Sequence, residues 1–175
     1  MRFTASVYAK IAERLGYTFN DRALLRHALT HASSRRKHDD YERLEFLGDR
    51  VLGLVLAEVL YRKYPKHDEG DMAAKHSALV RGEACAAVGK SLCLEEFIVM
   101  GLSEKHKGMH LKPGVIGDVM EALIAGIYLD GGLEPARQFI LRELGDAVEQ
   151  AGQPNYFGRD HKSRLQEALQ QRGGP

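Results

Sequence analysis

The chain has 175 residues, 44% of them hydrophobic and 28% charged, with a formal net charge of +1. That balance suits one domain with a real core and excludes a polycation, so any attraction to nucleic acid must come from local patches or bound metal ions. Two cysteines, Cys85 and Cys93, lack metal-site spacing and point to a reducing compartment rather than a disulfide framework.

The first residues, Met1 to Ser6, carry no apolar signal core. The longest apolar run, Val51 to Val59, is interrupted by Glu58 and is too short to cross a membrane. The expectation is a cytoplasmic protein with no membrane partner. A first helix is predicted over 6–15, with Ile11 and Leu15 on one face and Gly16 as its stop. Phe19-Asn20-Asp21 reads as the cap of a second helix over 22–31, with Leu24, Leu25, Ala28 and Leu29 inward. His31 is read as a packed or capping residue. A polar connection over 33–40 holds Arg35, Arg36 and Lys37 and leads to a helix over 42–64 that Pro65 ends. That helix is apolar on nearly all sides, the pattern of a buried central helix.

Beyond it, Asp71 is expected to cap a helix reaching Val80, Gly82 to break it, and a further helix to cover 83–91. The segment 94–100 is apolar and fits either a short extended piece or a helix end. Residues 103–114, with Lys105, Lys107, Lys112 and Pro113, read as a mobile basic loop. A second strong helix over 115–129 puts Val115, Val119, Leu123 and Ile127 on one face, and Gly131-Gly132 ends it. Pro135 suits the first turn of a helix running to Gln150. No stretch makes a period-2 strand, so the fold class is all-α. After a short linker, one amphipathic helix over 160–171 carries Leu165 and Leu169 inward. A single helix cannot bury its own face, so the tail reads as the start of a further module.

Chemistry concentrates on the two strong helices. Glu42, Glu45 and Asp49, at i, i+3 and i+7, fall within a stripe roughly 60° wide. Spacing alone fits a solvated acidic stripe as well as a ligand set. Asp118 and Glu121, at i, i+3, add a second pair. If the two helices pack together, four carboxylates converge, and they cannot all stay ionised in a poor dielectric without cations. Oxygen-only donors favour Mg²⁺ or Mn²⁺, and no His or Cys is spaced to favour zinc. A hard cation in an all-α domain points to phosphodiester hydrolysis.

The run Glu42-Arg43-Leu44-Glu45-Phe46-Leu47-Gly48-Asp49 resembles the signature of the ribonuclease III family almost letter for letter. Ala28 to Ser33, Asp68 to Met72, Leu79-Val80-Arg81 and Asp118 to Leu129 match in order and spacing, and Asp160 to Glu167 resembles the first helix of a double-stranded-RNA-binding domain. The resemblance implies a catalytic domain over 1–152, a linker over 153–159, and a truncated RNA-binding domain over 160–175. It implies a homodimer that cuts double-stranded RNA to 5′-phosphate and 3′-hydroxyl ends, in processing of ribosomal, messenger and transfer RNA precursors. By position, Glu45, Asp49, Asp118 and Glu121 would be metal ligands, with Asp49 and Glu121 the most critical for catalysis. Glu42 and Glu69 would be auxiliary acids touching RNA or water, and Phe46 a dimer contact. Asp40-Tyr41 and Gly117 depart from the family's usual His-Asn-like pair and Ala. The rival readings are a non-catalytic dimeric RNA-binding or scaffolding protein of the same fold and a di-iron helical protein. The second would need Glu-x-x-His pairs, which these helices lack.

Overall fold

The computed structural model describes residues 3–34 and 40–151. The basic cluster Arg35-Arg36-Lys37, the linker over 153–159 and the helix expected after it lie outside the described residues. Eight α-helices are present among the described residues: α1 (Ala5–Leu15), α2 (Arg22–Ala28), α3 (Glu42–Lys63), α4 (Glu69–Leu79), α5 (Gly82–Ser91), α6 (Leu102–His106), α7 (Pro113–Gly131) and α8 (Leu133–Gln150). No strand is among them; a single parallel bridge joins Thr30 to Val99.

The centre of the molecule is α7, not α3 as the hydrophobic pattern suggested. Eleven of its residues are buried, from Val115 and Ile116 through Leu123 to Ile127. It packs most extensively on α3 and α5, and also on α2 and α8. Truncating Leu123, fully buried here, to Ala would cost about 2–5 kcal/mol. By contrast, α3 buries one face (Leu44, Gly48, Val51, Leu52, Val55, Leu56, Leu60) and leaves Phe46, Leu54 and Tyr61 exposed on another. Its all-round apolar character therefore comes from an interior face and a second, uncovered one.

Local boundaries follow capping chemistry. Thr4 caps α1 through its side chain, and Gly16 closes it in the left-handed conformation. Asp21 caps α2 by accepting from the Ala23 amide at 2.7 Å. That helix stops at Ala28, earlier than expected, because Leu29, Thr30 and His31 turn to backbone bonds with Val99: the Val99 amide donates to Leu29 O and the His31 amide to Val99 O, both at 2.8 Å. The cap of α4 is Asp68, which accepts from the Asp71 amide at 2.8 Å. Asp71, expected to cap, instead lies in the first turn, where its charge suits the positive helix end. The basic loop expected over 103–114 is instead α6 followed by a 3₁₀ turn at Met109–Leu111, and Pro113 opens α7 two residues early. Pro113 fits there because the first helical residue needs no amide hydrogen.

Candidate functional site

Gly48 decides where the acids meet. A Cβ placed on it would lie 1.8 Å from the Glu121 carbonyl oxygen and 2.5 Å from its carbonyl carbon. The backbones of α3 and α7 therefore touch at Gly48 and Glu121, a closeness only glycine permits. Glu45 and Asp49 stand within a turn of that crossing on α3, and Asp118 and Glu121 do so on α7. All four side chains are half-buried.

Electrostatics show that three of the four feel one another. Burial, then Asp118 and Glu42, raises the pKa of Glu45. Burial raises that of Asp118, while a hydrogen bond from Tyr41 and the nearby His31 pull it back in part. Glu121 is pushed up to about 7 by burial and by the charges of Glu45 and Asp118, against the opposing pull of the Cys85 thiol and Arg50. A carboxyl raised so far, by burial first and by neighbouring acids second, marks a site where negative charge is poorly compensated.

The carboxylates do not form a closed cage. Among the described residues, no group of three His, Cys, Asp or Glu side chains stands close enough to hold one ion as the side chains lie. Asp49 is ion-paired with Arg50, whose guanidinium also sits over the Phe46 ring, 5.0 Å from its centroid. The arrangement is an open acidic seat, and hard oxygen donors in excess suit a divalent cation that keeps part of its water shell. Beside the acids lie the Cys85 thiol, which burial pushes up to about 12, and His31, whose Nδ1 accepts from the Ser33 amide at 3.0 Å.

Of the remaining sequence candidates, Glu42 is exposed at the start of α3 and contributes to the field on Glu45. Glu69 is exposed on α4 and lines a cavity of about 540 Å³ with Leu54, Tyr61 and Met72. It takes no part in the mutual perturbation of Glu45, Asp118 and Glu121. Phe46 is 66% exposed and borders a cavity of about 810 Å³ lined also by Leu44, Leu47 and Leu129. His31 packs edge-on to Tyr41 at 5.7 Å, as a packed histidine should. Sequence reasoning missed two contacts. Cys85, expected to be a buried apolar residue, is buried, but its thiol also hydrogen-bonds Glu121. Tyr41, taken as a departure from a pattern, reaches Asp118. No local signal could have found either, because both depend on which helices pack together.

A sequence profile described as ribonuclease-III-like matches residues 21–147. The chain is 44% identical to Ribonuclease 3 of Nitrobacter winogradskyi, covering 98% of this chain and 65% of the relative. It is 46% identical to Ribonuclease 3 of Rhodopseudomonas palustris, covering 95% and 61%. The chain thus spans under two thirds of the length of these two relatives. Among solved structures, the nuclease domain of ribonuclease III from Campylobacter jejuni, described for flexibility in a region involved in dimer formation, superposes with a TM-score of 0.76. The two are 42% identical, and the match covers 78% of this chain and 95% of that one.

Proposed function

The chain belongs to the ribonuclease III family, and on that premise we propose that it is a Mg²⁺-dependent endoribonuclease, with Mn²⁺ as a substitute. It cuts double-stranded RNA to 5′-phosphate and 3′-hydroxyl ends. The observation that carries the reading is the α3–α7 crossing at Gly48, which brings acids from two distant parts of the chain beside one point. Residues 1–152 are the catalytic domain in this reading, and 160–175 begin an RNA-binding module.

Glu45, Asp49, Asp118 and Glu121 hold the cation. When bound, it supplies positive charge beside a phosphodiester and makes water a better nucleophile at neutral pH. The protein's own groups set the conditions. Glu121 is pushed up to about 7, so its proton would have to leave before the carboxylate could help hold a cation. Arg50 holds Asp49 and offers a positive group on the rim of the seat, where a phosphate backbone would otherwise meet only acids. Glu42, exposed and acting on Glu45 through its charge, is in this reading an auxiliary acid that touches water or RNA. Glu69, exposed on α4, is in this reading a second auxiliary acid that touches RNA or water.

The substrate reading rests on shape. The deep, narrow major groove of an A-form duplex hides its base edges, so recognition falls to backbone and 2′-hydroxyl contacts. A two-fold dimer would give each strand its own acidic seat. The uncovered face of α3, with Phe46, Leu54 and Tyr61, is the surface that supports such a dimer. No helix among the described residues is long and apolar enough to cross a membrane.

The test is cleavage of an RNA duplex with Mg²⁺, with and without a chelator, by the native chain and by Glu121→Gln. The expected result is cleavage only with metal, and a variant that binds duplex but fails to cut. Cleavage that survives chelation would refute the metal assignment. Duplex binding without cleavage under every condition would favour the scaffolding alternative.

A further inference from the structure

We propose that Tyr41 is a positioning residue for Asp118: its hydroxyl donates to Asp118 Oδ2 and sets the orientation in which that carboxylate meets the cation. The inference rests on Asp118 being a ligand. The contact is 3.4 Å, at the long end of a hydrogen bond, and the frame around the ring gives it weight.

Tyr41 is 4% exposed and stands immediately before α3, with its backbone tied in both directions. Its amide donates to Thr30 O at 2.9 Å, and its carbonyl accepts the Glu45 amide at 2.8 Å. Thr30 is itself bridged to Val99 and donates its hydroxyl to Arg26 O at 2.6 Å. The His31 ring lies edge-on against the Tyr41 ring at 5.7 Å. His31 is held in turn by Ser33, whose hydroxyl oxygen accepts from the Gly101 amide at 3.0 Å. A buried phenol needs a partner for its hydroxyl, and this one is aimed at a carboxylate of the acidic seat.

Carboxylates that bind metal are oriented by outer partners, whose loss weakens metal affinity by about 10- to 100-fold. A merely structural aromatic would have no such effect. Tyr41→Phe separates the two roles, since it keeps the ring against His31 and removes only the hydroxyl. Mn²⁺ binding to the 175-residue chain is measured by calorimetry, alongside the melting temperature and the Mg²⁺ concentration giving half-maximal duplex cleavage. The expected result is an unchanged melting temperature, roughly tenfold weaker Mn²⁺ binding, and a matching rise in the half-saturating Mg²⁺. At saturating Mg²⁺, kcat should be within about twofold of the native value. In an Asp118→Asn background, adding Tyr41→Phe should weaken Mn²⁺ binding no further. Native Mn²⁺ affinity in Tyr41→Phe would overturn the proposal and leave Asp118 as a ligand. Equal losses in both backgrounds would overturn it too, because Tyr41 would then act by another route. A native chain that binds no Mn²⁺ would remove the ligand reading itself, a failure distinct from either.

Discussion

Glu121 sits where burial, two neighbouring acids, a thiol and a guanidinium act on one carboxyl, and its pKa of about 7 records the sum. A raised folded-state pKa means the native state binds the proton more tightly than the unfolded chain. Stability from this source is full below pH ~4.3 and is lost as pH rises through about 7. In a chelator, the melting temperature should therefore fall between pH 5 and pH 8; in excess Mg²⁺ the fall should shrink or vanish. A melting temperature that rises over that range in chelator would contradict the placement of Glu121 among like charges. Asp130 shows the opposite case. Burial alone would raise its pKa, but the amides of Asp21 and Asn20 and the Tyr17 hydroxyl outweigh burial and hold it low. Asp130→Ala, losing these bonds, should cost about 2 kcal/mol, read by urea unfolding, while leaving metal affinity unchanged. That Glu45 and Asp49 share one helix face, and Asp118 and Glu121 another, was legible from spacing, because i, i+3 and i+4 positions share a face in any helix; that the two pairs stand beside one crossing was not. The partners that tune them were not, since Tyr41 and Asp118 lie 77 residues apart.

At the scale of elements, the α3–α7 crossing determines whether the site exists. Gly48→Ala would drive a methyl into the Glu121 carbonyl, and rigid backbone can yield only by separating the helices. The expected cost is about 3 kcal/mol, a melting temperature lower by roughly 10 °C, with loss of cleavage. Gly53→Ala is the control. The added carbon would lie 3.6 Å from His76 Nε2, an ordinary contact, so stability should hold or improve slightly. Equal effects from the two substitutions would deny Gly48 its special role. Helix existence and order were readable along most of the chain, because α1 and α8 carry a clear one-sided apolar face, while α3 and α7 are long apolar runs with no alternation of the kind a strand needs. Two features were not. The Asp68–Asp71 choice turns on which carboxylate reaches which amide. Residues 103–114 read as a polar loop because a five-residue helix such as α6 is too short to carry a periodic signal.

For the whole molecule, the hydrophobic pattern of α3 misled about its place because the sequence does not distinguish an apolar face packed in the core from one left uncovered. The structure leaves Phe46, Leu54 and Tyr61 of α3 at 66%, 58% and 71% exposure, with the Arg50 guanidinium over the Phe46 ring. On the proposed dimer, Phe46→Glu should leave a folded monomer by light scattering; a dimer that persists would place the interface elsewhere. The central claim is that α3 and α7 together seat one divalent cation. Crystals soaked in Mn²⁺ and measured near its absorption edge test it most directly. The account predicts an anomalous peak ligated by at least one carboxylate from Glu45 or Asp49 and one from Asp118 or Glu121. A peak bound by one helix alone, or none at this crossing, would contradict it.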